Sequence, residues 1–126
     1  MIIYYDSKDL KYKKPFGAVS NDEKIEFNVY CQDGIFVEKA FIRIYPDGQE
    51  ETYVFPLDYS FSKDGESCFT GHVEGLETGL YWYSFIFYTE EGEIIKDKDG
   101  EGHGYQLTIY DADYKTPDFP KGGVIY

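Results

Sequence analysis

The chain is short of the residue types that usually announce chemistry. It has two histidines, two cysteines, one methionine and one tryptophan in 126 residues, and half as many basic groups as acidic ones (12 against 24). His72 and His103 are the only imidazoles, and there is no Gly-x-Ser-x-Gly elbow or supported Cys–His pair. Nucleophilic catalysis therefore has little to stand on. No run of about 18 apolar residues is present to cross a bilayer. The opening Met-Ile-Ile-Tyr-Tyr-Asp lacks the basic and long apolar regions of a signal peptide, which favours a cytoplasmic origin and leaves extracellular export open only if a leader has been removed. The shortage of cations excludes more. A formal charge of −12 and a pI near 4.4 repel phosphate backbones and anionic lipid, so nucleic-acid binding and membrane-surface roles are not expected. Neutral partners such as carbohydrate are untouched by that argument.

Two cysteines are also too few to staple a domain. Cys31 lies in phase with Phe27 and Val29, whereas Cys68 is out of phase with Phe69. A bridge requires Cβ atoms that face each other, so two separate thiols are expected. A chain of this length is one domain with a sufficient core of its own.

What is abundant is aromatic. Phe, Tyr and Trp make up 20% of the chain, so its core is built largely from rings. They are densest in Gly79-Leu-Tyr-Trp-Tyr-Ser-Phe-Ile-Phe-Tyr-Thr89, ahead of a Glu91-Gly92 turn signal. Aromatic and β-branched residues suit a pleated surface, and the stretch reads as a long strand. Alternation sends Tyr81, Tyr83, Phe85 and Phe87 to one face and Leu80, Trp82, Ser84, Ile86 and Tyr88 to the other. A strand so apolar on both faces must be covered on part of the second.

The other segments alternate more simply. Residues 24–31 put Ile25, Phe27, Val29 and Cys31 inward and Tyr30 outward. Residues 37–45 set Ala40, Ile42 and Ile44 against Phe41, Arg43 and Tyr45, then turn at Pro46-Asp47-Gly48-Gln49 into a strand over 51–57. Shorter strands are expected at 2–5, 67–73, 93–96 and 105–110, with polar loops over 6–15, 58–66 and 97–104. No 3.6-residue period persists. The pattern predicts an all-β, immunoglobulin-like antiparallel β-sandwich of seven to eight strands over residues 1–112, followed by a linker at 113–126.

Metal binding is a weak expectation. Asp97, Asp99, Glu101 and Gly102 match the first, third, fifth and sixth positions of a calcium loop, but the twelfth is Thr108 rather than a bidentate glutamate, so a solvated acidic hairpin is the better reading. No metal or cofactor is called for. A glycosidase carboxylate pair cannot be singled out among so many acids, and a small sandwich offers faces and loops more readily than the cleft such a pair needs. Sugar binding fits better, because aromatic rings pack on pyranose C–H faces while amides and carboxylates meet hydroxyls. Candidate rings on outward phases are Trp82, Tyr88, Tyr45, Phe41 and Tyr30, with Trp82 foremost for its large face. For each ring the alternative is burial in the core or against a neighbouring domain.

The end of the chain adds a resemblance. Tyr105–Tyr110 followed by Thr116-Pro-Asp-Phe119-Pro-Lys-Gly-Gly-Val124-Ile-Tyr126 is similar to the junction between an N-terminal β-sandwich and the catalytic barrel in alpha-amylase family glycoside hydrolases of the neopullulanase, cyclomaltodextrinase and pullulanase type. Leu80-Tyr-Trp-Tyr-Ser-Phe85 also resembles a Leu-x-Tyr-x-Phe strand of that sandwich. Phe119 stands where those enzymes often carry tryptophan, and Val124–Tyr126 stands where the first barrel strand begins. The resemblance implies a non-catalytic accessory module. Its partners would be α-glucan, its own catalytic barrel and, through the parent enzyme, a homodimer mate. No catalytic residue can be carried over, and a purely structural role or an unrelated immunoglobulin-like interaction domain remains the alternative.

Overall fold

The computed structural model describes residues 2–32, 34 and 36–112. The junction at 116–126 and the expected linker lie outside the described residues. Within them the protein is all-β, with ten strands: β1 Ile3–Tyr4, β2 Lys13–Lys14, β3 Val19–Ser20, β4 Ile25–Gln32, β5 Val37–Pro46, β6 Tyr53–Lys63, β7 Glu66–Val73, β8 Gly79–Thr89, β9 Gly92–Lys96 and β10 Tyr105–Tyr110. They run in the order β1-β4-β7-β6-β5-β8-β10-β3, with β2 also on β4 and β9 also on β8.

This curled sheet closes into two layers because β6 belongs to both. Its first half, through Leu57, pairs with β5; its second half, from Asp58, pairs with β7. The crossing demands close backbone approach, and Gly71 on β7 supplies it. A Cβ there would stand 2.7 Å from the Pro56 carbonyl oxygen and 3.0 Å or less from Leu57 and Ile42 side-chain carbons. Inward rings of the two layers meet between them: Phe27 of β4 lies 5.1 Å from Tyr83 of β8, centroid to centroid. Tyr5 enters the same cluster, and its hydroxyl shares a 2.6 Å hydrogen bond with that of Tyr83. Burial raises both phenol pKa values, so this pair joins the N-terminal segment to the core as neutral groups.

The alternation argument holds for the long strands. Tyr81, Tyr83, Phe85 and Phe87 are buried, as are Ile25, Phe27, Val29, Cys31, Ala40, Ile42, Ile44, Leu107 and Ile109. No disulfide joins Cys31 and Cys68. Their strands place Tyr30 opposite Cys68 and Cys31 opposite Ser67, so the two thiols occupy different faces of one layer.

Three expectations are corrected. Residues 58–63 continue β6 instead of forming a loop, because the reversal sits at Asp64-Gly65, both with positive φ (53° and 80°) as a two-residue primed turn requires. Most of that half-strand is exposed, which hid it from a burial pattern. The 6–15 loop contains β2, whose Lys13 is buried and donates from Nζ to the Pro15 and Gly17 carbonyls at 2.8 Å each. The sheet is also mixed, since β3 pairs parallel with β10.

Candidate functional site

The outer face of the β5-β8-β10 layer is a ladder of cross-strand neighbours. Tyr45 and Gln106 flank Trp82, Arg43 opposes Ser84, Phe41 and Ile95 flank Ile86, and Lys39 and Glu93 flank Tyr88. Directly opposed residues on one face have Cβ atoms about 4.5–5.5 Å apart, so Tyr45 and Trp82 stand side by side as an aromatic pair on this face. Trp82 is held in orientation by its indole N–H, which donates to Asp47 Oδ1 at 2.8 Å. Asp47 comes from the β5–β6 turn, where Gly48 takes a positive φ of 74° and Gln49 N–H closes on the Pro46 carbonyl at 3.2 Å.

A second wall comes from the loop between β9 and β10. Asp97 is buried rather than solvated, and its carboxylate accepts from the Gly100 and Gly102 N–H groups. Lys98 N–H donates to the His103 carbonyl at 3.0 Å, closing the loop on itself. At its tip His103 Nδ1 lies 2.6 Å from Asp99 Oδ2, and this bond, with the Glu101 N–H, holds the Asp99 carboxyl below the usual carboxylate range. Asp99, Glu101 and His103 bring donor atoms within 4.8 Å of one another, but all three are exposed and the Asp99–His103 bond already satisfies two of them.

Gly104 seats this loop on β8. A Cβ at Gly104 would lie 3.1 Å from Trp82 Cβ and equally close to the Tyr83 backbone nitrogen and oxygen. Gly104→Ala is therefore expected to lift the loop away from Trp82 and cost about 1–2 kcal/mol, the scale of modest overpacking. A urea midpoint equal to the parent's, with unchanged Trp82 emission, would show that the wall is not set by this contact.

Turn, aromatic pair and loop enclose a groove of about 540 Å³, lined by Tyr45, Trp82, Asp47, Gln49, Lys98 and His103 among others. That lies within the range of small-ligand sites, roughly 300–1,000 Å³. The groove is lined by two aromatic side chains with carboxylate, amide, ammonium and imidazole groups around them, chemistry suited to packing on and hydrogen-bonding a neutral polyhydroxylated ring.

Of the five candidate rings, Trp82 and Tyr45 are brought together here. Phe41 and Tyr88 share the same face but stand apart, since Tyr88 is six residues, or about 20 Å, along β8 from Trp82. They pack edge to face at 6.1 Å, with Lys39 Nζ 5.1 Å over the Tyr88 ring. Tyr30 is on the other layer, between Tyr12 at 5.6 Å and Phe61 at 6.1 Å, under Lys11 Nζ at 4.5 Å. Its phenol is pushed up to about 12, by burial first and then by Cys68. Asp47, Lys98 and His103 are not candidates on strand phase. They reach the groove from the β5–β6 turn and the β9–β10 loop, whose approach to Trp82 no strand alternation encodes.

No family model matches the chain. It is 28% identical over 98% of its length to the amylopullulanase of Thermoanaerobacterium thermosulfurigenes, of which it spans 8%. Among solved structures the fold is similar to the cycloalternan-forming enzyme of Listeria monocytogenes in complex with a pentasaccharide substrate, at TM-score 0.62 and 13% identity, covering 85% of this chain and 10% of that one. It is also similar to the carbohydrate binding module of the muscle glycogen-targeting subunit of protein phosphatase-1, at TM-score 0.57 and 15% identity, covering 73% of this chain and 70% of that one. The chain thus spans about a tenth or less of the length of the amylopullulanases it matches.

Proposed function

We propose that this relative of a segment of alpha-amylase family enzymes is a non-catalytic module that binds α-glucan and presents it to the catalytic barrel of a longer parent enzyme. The observation that carries the reading is the Tyr45–Trp82 pair in a groove rimmed by hydrogen-bonding side chains. The similarity to a segment of amylopullulanase and to a carbohydrate binding module supports α-glucan as the ligand class. The site rests on strands with a preset turn and a self-bonded loop, so little ordering is required when ligand arrives.

Trp82 is the only tryptophan, so its emission reports this groove alone. Titrating the chain with maltoheptaose is expected to give a saturable change in that emission. A second reading, a module that packs on its barrel or on a partner subunit, draws on Phe36, Tyr59 and Phe61, which stand 67%, 60% and 44% exposed. It predicts no saturable change with maltoheptaose, and that outcome would overturn glucan binding.

A further inference from the structure

Beside the Trp82 groove lies a smaller hollow of about 290 Å³ that shares Tyr45, Gly102 and Gly104 with it and reaches Arg43, Ser84 and Ile95. Two polar atoms at this hollow have no hydrogen-bond partner: Ser84 Oγ and Arg43 Nε. Ser84 is only 3% exposed, and it sits directly opposite Arg43 across β5 and β8. A serine hydroxyl in the middle of the most apolar strand costs stability when it is unpaired, and so does a buried guanidinium N–H. Strand packing gives no reason for either group. Alanine at 84 and an aliphatic residue at 43 would fill the same surface without that penalty.

The chemistry of the pair selects its ligand. Arg43 Nε–H can only donate, whereas Ser84 Oγ donates or accepts. The Asp97 carboxylate borders the hollow, and the chain carries a net charge of −12, which disfavours an anion. A neutral vicinal diol meets the requirement, one hydroxyl accepting from Arg43 and its neighbour exchanging a bond with Ser84. Such a diol is part of every glucopyranosyl ring.

We propose, resting on the glucan-binding reading above, that this hollow is a second sugar subsite: a glucosyl unit joined to the one stacked on Trp82 hydrogen-bonds through its hydroxyls to Arg43 Nε and Ser84 Oγ. Both atoms are closed to water in the free protein, so entry of the sugar requires side chains that line the hollow to part. The subsite thus discriminates on hydroxyls, while the Trp82 platform supplies ring contact.

Calorimetric titration of the chain with maltoheptaose tests this in four proteins: the parent, Ser84→Ala, Arg43→Lys and Trp82→Ala. Ser84→Ala and Arg43→Lys are each expected to weaken binding about 5–10-fold, the scale of one or two lost hydrogen bonds. Ser84→Ala should do so with a melting temperature equal to or above the parent's, because it deletes an unpaired hydroxyl. A merely structural serine would instead lower the melting temperature and leave affinity alone. If Ser84→Ala and Arg43→Lys bind as the parent does while Trp82→Ala does not, the subsite falls and the platform stands. If the parent itself gives no binding heat, both readings fall.

Discussion

Trp82→Ala is expected to weaken maltoheptaose binding about 30-fold, the equivalent of some 2 kcal/mol for a central aromatic contact. Three features of the site set that size. The indole is the largest ring in the groove, it is paired on one side by Tyr45 and on the other by Gln106, and Asp47 fixes its plane. Truncation removes the stacking face and also frees the Asp47 side chain, leaving the turn that carries Gln49 tied to β8 through the Asp47 N–H and the Leu80 carbonyl. Trp82→Phe separates the two effects. It retains a ring and deletes the N–H, and should keep most of the affinity if stacking dominates. Calorimetry is the measurement, since both variants are spectroscopically silent at this position. Parent-like affinity in Trp82→Ala would remove the groove from any account of glucan binding.

Gly71→Ala is the change expected to cost most stability, about 2–3 kcal/mol, at the upper part of the overpacking range. A new Cβ would meet the Pro56 carbonyl oxygen at 2.7 Å, and that oxygen is backbone, with no rotamer to yield. It would also press on Leu57 and Ile42 at the point where β6 leaves one layer for the other. Relief therefore requires the strand crossing itself to shift, which disturbs both layers together. For a domain of this size the loss corresponds to a fall in Tm of roughly 8–12 °C. A thermal melt within about 2 °C of the parent's would show that Pro56 can retreat without disturbing the core.

These two residues mark the reach of sequence reasoning. Trp82 was legible because a lone indole on the outward phase of an apolar strand is unusual by composition alone. Gly71 was not, because nothing in Thr-Gly-His-Val tells a glycine that admits another strand from one that merely interrupts its own. The same holds for Ser84. On β8 it reads as one polar residue on the second face, and only the register with Arg43 reveals that its hydroxyl is unpaired. Tyr30 shows the limit of phase from the other side. It has the phase of an outward ring, yet it lies on the layer away from Trp82, among Tyr12, Phe61 and Lys11. Phase assigns a face within one strand and does not say which layer that strand joins.

The family resemblance read at β8 and the 105–126 stretch agrees with the amylopullulanase similarity over 98% of the chain. The half-strand at 58–63 was missed for a physical reason. It is exposed, so hydrogen bonds to β7 hold it where hydrophobic alternation gives no signal.

By itself the sequence determined the all-β class, the inward residues of the long strands, the acidic net charge and the aromatic surplus. All of these follow from side-chain period and charge, which are local properties. What covers the second face of β8 was decided only by the tertiary structure. Ser84 and Ile86 are buried there, with Ile95 of β9 opposite Ile86 and the buried Asp97 carboxylate tethering the loop that borders Ser84's hollow. Trp82 is left open to the groove. That outcome depends on which strands pair and in what register, and on one glycine permitting a loop to approach within 3.1 Å. Such long-range coincidences leave no periodic trace along the chain.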